Sequence, residues 1–402
     1  MLERSPARRR VLRPGQVRDA NAALVLALLR RHQRLSRAEL ARRTGLSEGA
    51  VSRITAGLLG RGLITEEGAE NSTGGRPAIR LRLDQSRFFS LGAVIGNWET
   101  RLAVGTLAGT IIESWSVRTP PGPDRTLKLI ADEFNRRRRR LRSRRLWGLG
   151  VAVRGLVNSE TGVVEMGNDP RWVQVPVKQE LEQATGAAVF VENDVRAAAL
   201  AEYHATADLQ ASHCLLFVKV DEGLGMAVVL DGRLYRGSHL CSGEVGQMVI
   251  AYQPGPERHD RPGCLERLAA NAAACERYSR LCPGRRPRGS GDAGAQLRRI
   301  CHQAVDGDTT ALQAIQETCR YLGLGIANLI WLFDPDVIVI DGAVTDAWPL
   351  VVSAVREQFP DSGKFRGFQE VVLRPSSLAG EATIVGAASL PFAGLFSIGA
   401  PC

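Results

Sequence analysis

Lysine is nearly absent from this sequence of 402 residues: only four of its 52 basic residues are lysines, at positions 128, 178, 219 and 364. The arginine bias therefore runs through the whole chain, and a single arginine does not identify a site. Hydrophobic residues make up 44% and charged residues 23%. This composition excludes a disordered or fibrous protein and is sufficient for more than one buried core.

Long apolar segments are also missing. The longest runs, residues 22–29 and 322–333, are shorter than the ~20 residues that a membrane-spanning helix needs. The basic N-terminus is not followed by the apolar region and small-residue cleavage site of a signal peptide. We therefore expect a soluble, cytoplasmic protein without a membrane partner.

No pair of cysteines has the CxxC spacing. The eight cysteines lie far apart, at positions 214, 241, 264, 275, 282, 301, 319 and 402. Disulfide frameworks are typical of short secreted chains, so we expect reduced and mostly buried thiols here.

The positive charge is concentrated at one end. Residues 1–84 contain 17 arginines and eight acidic residues, a net charge of +9, whereas the whole chain carries +10. The remaining 318 residues are thus almost neutral. Such an asymmetry indicates that the N-terminal part has a polyanionic partner.

The N-terminal part has the pattern of a winged helix-turn-helix. A leucine-rich helix over 22–32 precedes Ser36, which stands three residues before Glu39 as in a capping box and opens a helix over 37–44. Gly45 ends that helix, and Ser47 caps the next one. Two strands, over 63–66 and 78–83, flank a tip at 71–77.

This pattern predicts binding to double-stranded DNA. The second helix is expected to present small or polar residues, Thr55 among them, to the major groove. Arg53 is the candidate for a base contact, Arg76 at the wing tip for a minor-groove or phosphate contact, and Arg37, Arg42 and Arg43 for phosphate contacts. The alternative is a helical dimerisation module with a solvated basic face. The predicted DNA-binding residues are Arg37, Arg42, Arg43, Ser47, Glu48, Ser52, Arg53 and Arg76.

Beyond residue 84, strands alternate with helices. Predicted strands over 88–95, 100–107 and 110–117 form a meander, and Asp124 is a plausible N-cap for a helix over 124–141. Strands over 149–153 and 188–192, a helix over 194–203, and strands over 215–220 and 225–230 follow. Two such units predict an α/β body with two lobes and a cleft between them.

Several strings resemble those of the ROK family, which groups sugar repressors with sugar kinases. They include SRAELA at 36–41, GRP at 75–77, NDPRW at 168–172, VEND at 191–194, DGRLYRG at 231–237, GEVG at 243–246, GCLE at 263–266 and DPDVIV at 334–339. The resemblance covers nearly the whole chain and includes sugar-responsive repressors of the xylose and N-acetylglucosamine type. It implies a winged helix-turn-helix at 1–84, with a basic tail at 1–20, and a sugar-kinase-type (actin/RNase H-like) domain at 85–402.

The resemblance also implies a sugar site formed by amides and carboxylates that pair with vicinal hydroxyls. Its members are Asn168, Asn193, Asp194, Glu244, Gln247 and Glu266. The plainer interpretation is that these residues cap helices and hold loops. At 247 the family has a histidine that also ligates zinc, whereas glutamine does not ionise.

Two departures from the family pattern argue against a metal and against catalysis. Cys264 stands alone where the family has three close cysteines, and with His259 it does not supply four zinc ligands, so we expect no cofactor. The phosphate loops are replaced by VIGNW at 94–98 and by DEGLG at 221–225, where Asp221 and Glu222 are expected to repel ATP.

A run of eight arginines in ten residues, at 136–145, has two interpretations. We favour the solvated C-terminal end of the helix that begins near residue 124, where positive charge suits the helix dipole. The alternative is a second DNA contact or an RNA-binding patch.

The sequence therefore predicts a non-enzymatic transcriptional regulator, most simply a repressor of carbohydrate uptake or catabolism genes, that binds a sugar effector and an operator as a homodimer or dimer of dimers. One alternative is a regulator whose pocket no longer binds sugar. Another is a sugar kinase with an added DNA-binding domain, which needs intact phosphate loops.

Overall fold

In a computed structural model, residues 14–68, 79–251, 263–282, 293–358 and 370–396 are described. The N-terminal part is a winged helix-turn-helix with a three-stranded sheet in the order β1-β3-β2. Its elements are α1 (Pro14–His32), β1 (Leu35–Ser36), α2 (Arg37–Thr44), α3 (Glu48–Gly60), β2 (Ile64–Glu67) and β3 (Arg80–Leu83). The short strand β1, which pairs with β3, was not predicted. The predicted tip at 71–77, with Arg76, lies outside the described residues.

The first lobe is built on a five-stranded sheet in the order β11-β7-β4-β5-β6. Its elements are β4 (Phe88–Ile95), β5 (Glu99–Gly105), β6 (Ile111–Arg118), α4 (Pro123–Arg140), β7 (Arg145–Val153), β8 (Leu156–Asn158), β9 (Val163–Met166), β10 (Val173–Val175), α5 (Val177–Thr185), β11 (Val189–Asn193) and α6 (Asp194–Ala205). Strands β4 and β7 are parallel and buried, so both read as nearly continuous apolar runs.

The predicted N-cap of α4 is wrong. Gly122, with φ of 84°, is the N-cap residue and offers no side chain, while Asp124 lies inside the first turn after Pro123. Proline at the first helical position sets the backbone angle of that turn, so the helix begins one residue earlier than the side-chain pattern indicates.

The second lobe repeats this plan with a sheet in the order β14-β13-β12-β15-β16. Its elements are β12 (Cys214–Val220), β13 (Leu224–Leu230), β14 (Arg233–Tyr235), α7 (Leu265–Ala269), α8 (Asn271–Leu281), α9 (Ala293–Val305), α10 (Thr309–Phe333), β15 (Val337–Asp341), α11 (Trp348–Arg356), β16 (Val372–Pro375), α12 (Ala382–Ser389) and α13 (Ala393–Phe396). None of the described helices is long and apolar enough to cross a membrane.

Helices α6 and α12 pack against each other between the two sheets. A Cβ atom on Gly386 of α12 would lie 2.1 Å from the carbonyl oxygen of Ala197 on α6, so only glycine permits this approach. The alanines of α6 at 197, 198, 199 and 201 are buried, and their small side chains allow close packing. Small residues on both helices therefore bring the two sheets close together.

The N-terminal helix α1 packs on the body. The guanidinium of Arg30 lies 4.8 Å from the ring centroid of Phe396 on α13. Phe88 and Phe392 pack on Trp147, with ring centroids 5.0 and 5.6 Å from it, and both belong to the core that includes the leucines of α1. Five of the seven described cysteines are buried, in agreement with the prediction that most of the thiols are buried.

Candidate functional site

The helix-turn-helix is held by two side-chain caps. The Ser36 hydroxyl accepts from the Glu39 amide at 3.2 Å, and the Glu39 carboxylate accepts from the Ser36 amide at 2.8 Å. Gly45, with φ of 70°, ends α2, and the Ser47 hydroxyl accepts from Ala50 at 3.3 Å to open α3. The predicted capping box and turn are thus confirmed, because both depend on residues within three positions of each other.

The exposed face of α3 carries much of the predicted DNA-contacting set. Glu48, Ser52 and Arg53 are exposed, as are Arg42 and Arg43 on α2. Among the described residues, Arg53 has no acidic partner.

Two predicted residues of this region have internal partners. Thr55 is completely buried and donates to the Val51 carbonyl at 2.9 Å, because it lies four residues after Val51 on the inner face of α3. The prediction that Thr55 points outward is therefore wrong. Arg37 donates to Thr55 at 3.3 Å and to Glu66 of the wing at 2.7 Å. Its guanidinium fastens α2 to α3 and to the wing.

A cleft of about 1000 Å³ separates the two lobes. It lies at the carboxyl ends of β4 and β7, where Ile95 is the register partner of Val153. Crevices at the carboxyl ends of parallel strands are the usual ligand sites of α/β proteins. Its charged lining residues, from both lobes, are Glu99, Arg101, Arg154, Asp194, Lys219, Asp221, Glu222, Arg298 and Asp341.

Arg154 connects the two lobes across this cleft. It follows β7, and its guanidinium donates to Glu222 at 2.5 Å and to Asp221 at 3.2 Å in the second lobe. The amide of Asn97, after β4, donates to Glu222 at 2.9 Å. Asp221 and Glu222 therefore do not present free charge to an approaching phosphate. The sequence-based expectation of simple repulsion is corrected: an ion-pair network occupies this part of the cleft.

Lys219 occupies the other side of the network. Its ammonium donates to Asp194 at 3.0 Å and to the Thr383 hydroxyl at 3.1 Å. Asp194 is buried, and burial disfavours its charged form, but Lys219 and Arg154 outweigh that effect and hold its pKa below the ordinary value. Asp194 is therefore an ionised carboxylate whose charge is already balanced by two cations.

Buried Asp341 behaves in the opposite way. Burial raises its pKa above the ordinary value, although Lys219 and two backbone amides act against that rise. Asp341 ends β15 and is the parallel-register partner of Lys219 on β12. The cleft floor thus contains two carboxylates with oppositely shifted pKa values on either side of a single lysine.

Among the predicted sugar-binding residues, Asn193 is committed to the fold. Its side-chain oxygen accepts from the amides of Val195 and Arg196, and its amide donates to Gly155. It is the N-cap residue of α6, which matches the plainer interpretation of this position. Glu266 similarly accepts from the Leu224 amide at 2.9 Å and orders the loop before β13.

The other three predicted residues do not line the cleft itself. Partial burial raises the pKa of Glu244; Arg196 opposes the rise, and the carboxylates of Glu266 and Asp194 add to it. Gln247 is exposed in the turn that follows Glu244. Asn168 is exposed and lines a neighbouring pocket of about 730 Å³ that also contains Arg154. The charges of Asp194 and Glu266 therefore act on Glu244, whereas Asn168 lines the neighbouring pocket.

Lys219 and Arg154 were missed from the sequence. A signal was present for one of them: Lys219 is one of only four lysines and interrupts the apolar string LLFVKV. A charge within a buried strand needs a partner, and its partner is 25 residues away. Arg154 carried no comparable signal in a chain so rich in arginine.

Cys264 is buried, and its backbone pairs with Val249 in an isolated bridge. His259 lies outside the described residues, and no cluster of metal-ligating side chains occurs among the described ones. The loss of the zinc site stays a prediction.

Comparisons with known proteins place both parts of the chain. The model of the ROK family matches residues 90–392, and that of the MarR family matches residues 18–76. The N-acetylglucosamine repressor of Escherichia coli O157:H7 is 30% identical over 84% of each chain. A crystal structure of a ROK family transcriptional regulator, homologue of the E. coli MLC protein, aligns with a TM-score of 0.77, 27% identity, and coverage of 95% of this chain and 97% of that one.

A ROK hexokinase from Thermus thermophilus aligns with a TM-score of 0.60 and 30% identity. The alignment covers 97% of the hexokinase but only 75% of this chain. The regulator thus matches almost the full length, whereas about a quarter of this chain has no counterpart in the kinase.

Proposed function

Since this chain belongs to the ROK family, we propose that it is a DNA-binding transcriptional regulator, a repressor of carbohydrate genes, whose cleft binds a sugar without phosphorylating it. The winged helix-turn-helix and the full-length match to a regulator support the DNA-binding part. The two-lobed body, with Asp194 lining its cleft and with Glu244 coupled to it and to Glu266 by charge, supports the sugar-binding part.

The pairing of Asp194 with Lys219 is the observation that carries the non-enzymatic part. A carboxylate acts as a general base on a sugar hydroxyl when it is free to accept the proton. Here a lysine 3.0 Å away and Arg154 stabilise the ionised form and lower its pKa, which weakens it as a base. Arg154 also pairs with Asp221 and Glu222, which belong to the loop that the family resemblance assigns to phosphate binding.

The proposed effector mechanism is a change in the relative position of the lobes. A sugar that contacts Asn168 on one lobe and Glu244 on the other binds the closed cleft more tightly than an open one, and this difference in affinity drives closure. Helix α1 packs against α13 of the body, so movement of the body reaches the DNA-binding part. In a homodimer, the spacing of the two recognition helices would then change, and with it the affinity for an inverted-repeat operator.

Thermal unfolding against a panel of neutral sugars and sugar phosphates, with and without Mg-ATP, tests this function. A sugar at 100 times its Kd should stabilise the protein by about 2.7 kcal/mol, and Mg-ATP should add nothing. Asp194→Ala should abolish the sugar effect, while the exposed control Asp124→Ala should keep it. ATP-dependent stabilisation with sugar phosphate formation would instead identify a kinase. Absence of any sugar effect would favour the alternative of a regulator whose pocket no longer binds sugar.

The DNA-binding part has a separate test. Operator sequences are first selected from a random DNA library with the wild-type protein. For Arg53→Ala, the difference in binding free energy between these operators and random DNA should be smaller by about 1–3 kcal/mol. Arg125→Ala, an exposed arginine of the body, is the control. An unchanged specificity ratio for Arg53→Ala would remove this residue from base recognition.

A further inference from the structure

The arginine run lies at the end of the body that carries the DNA-binding part. Strands β4 and β7 are parallel, with Phe88 opposite Arg145 at one end and Ile95 opposite Val153 at the other. The chain enters β4 directly from the winged helix-turn-helix. The sugar cleft and the arginine run therefore lie at opposite ends of the same sheet.

Four of these arginines surround one recess. Arg138, Arg142, Arg144 and Arg145 line a pocket of about 510 Å³, which we call the arginine recess. Its remaining described lining residues are uncharged, namely Phe89, Leu146, Trp147, Gly186, Ala187 and Ala188. No carboxylate among the described lining residues balances the four positive charges.

The neighbouring arginines of α4 show how the run is otherwise neutralised. Arg136 pairs with Glu133 at 2.6 Å, and Arg137 pairs with Glu113 at 2.8 Å. In the recess, Arg138 donates to the Thr185 carbonyl at 3.2 Å and has no acidic partner in the described part of the chain. One terminal nitrogen of Arg144 is buried without a hydrogen-bond partner in the described part of the chain. Guanidinium groups that share a recess repel one another, so an anion bound there lowers the energy of the site.

Arg144 also joins the recess to the wing. It lines a second groove of about 390 Å³ together with Thr65 of β2, Arg82 of β3 and Asp84. Arg82 is paired with Glu67 at 2.6 Å, so the unbalanced positive charge lies in the recess, and this groove connects the recess to the wing sheet. A polyanion held by the winged helix-turn-helix would pass close to the recess, whereas a small anion would need only the recess.

We propose that the arginine recess binds the phosphate backbone of double-stranded DNA beside the segment contacted by the winged helix-turn-helix. This inference rests on the proposed DNA-binding function. The solvated helix end that the sequence favoured describes Arg139 and Arg140 fully, whereas Arg138, Arg142 and Arg145 are exposed but also line the recess. The planar guanidinium, with its fork of donors, suits phosphate oxygens.

The test is a salt titration of binding to a fluorescently labelled 40-bp duplex of random sequence. Each phosphate contact contributes about 0.9 to the slope of log K against log[salt]. Arg142→Ala/Arg144→Ala should therefore reduce the slope by about 1.8 and weaken binding at least tenfold at low salt. Arg125→Ala/Lys128→Ala removes the same charge from exposed positions near the start of α4, ~20 Å away along the helix axis, and should leave the slope unchanged.

Further variants separate a folding defect from a lost contact. Arg142→Lys/Arg144→Lys should retain the wild-type slope. The single variant Arg142→Ala, at an exposed position, should show about half of the reduction in slope of the double alanine variant. A slope in the double alanine variant equal to that of the control would overturn the inference. Binding of inorganic phosphate to the wild type but not to the double alanine variant, with equal DNA binding by both proteins, would also overturn it. That result would indicate a small-anion site. Failure of the wild-type protein to bind any duplex would contradict the proposed function itself.

Discussion

At the scale of single residues, Lys219 decides the character of the cleft. Its strand neighbours Val218 and Val220 are buried, and its ammonium reaches Asp194 and Thr383 from the floor of the cleft. A lysine in such surroundings is stable only when its charge is paired. The same pairing stabilises ionised Asp194 and keeps it from acting as a strong base.

We predict that Lys219→Met lowers the free energy of unfolding by about 3 kcal/mol, because removal of one partner leaves buried Asp194 with only the more distant Arg154. Urea denaturation measures this change. Lys128→Met, at an exposed position on α4, should alter stability by less than about 0.5 kcal/mol. Equal stabilities of the two variants would show that the Lys219 pair contributes no net stability.

At the scale of elements, a histidine lies where α1 meets the body. His204 near the end of α6 packs edge-on against Tyr203 and lies beside Phe396 of α13. Burial, reinforced by the charge of Arg30 on α1, lowers the pKa of His204 well below its ordinary value. Protonation would place two positive charges together within the contact that links the DNA-binding part to the body.

This arrangement predicts acid sensitivity. In the unfolded chain His204 takes up a proton below about pH 6.5, whereas in the folded protein it stays neutral, so stability falls as the pH drops below that value. The loss is at most about 1.4 kcal/mol per pH unit for one proton. Denaturation between pH 5 and 8 should show a shallower decline for His204→Gln than for wild type.

His239→Gln, which changes an exposed histidine, is the matched control and should follow the wild-type curve. If the wild-type and His204→Gln curves run parallel over this range, the histidine does not titrate differently in the two states.

At the scale of the whole molecule, the relative position of the lobes is the quantity that the proposed mechanism changes. Arg154 and Asn97 on the first lobe reach Asp221 and Glu222 on the second. Ion pairs with partly exposed members contribute about 1 kcal/mol or less each and weaken with salt. The lobes are therefore joined strongly enough to favour one position and weakly enough for a ligand to shift it.

We predict that Arg154→Ala widens the cleft and makes its width insensitive to salt. Small-angle X-ray scattering at 0.05 and 0.5 M NaCl should show a radius of gyration that rises with salt in the wild type but is already high in the variant. Arg171→Ala breaks an ion pair with Asp169 that lies within the first lobe, and it should behave as the wild type does. A radius of gyration in Arg154→Ala that matches the wild type at low salt would mean that other contacts set the cleft.

The sequence by itself determined the helix-turn-helix and most of the strands and helices between residues 88 and 230, because caps such as Ser36 with Glu39 and turns such as Gly45 act over three or four residues. The sequence strings that resemble the ROK family also predicted the two-lobed body. Sequence did not reveal that Thr55 faces inward towards Arg37, 18 residues away, or that Arg154 pairs with Glu222, 68 residues away.

Tertiary structure decided those pairings, and with them the chemistry of the cleft and the surroundings of the arginine run. Burial sets the energetic cost of an unpaired charge, and it is known only after the strands and helices have packed. A charged side chain chooses its partner by distance in space, so Lys219, Asp194 and Arg154 acquired their roles when three separate segments met at the cleft floor.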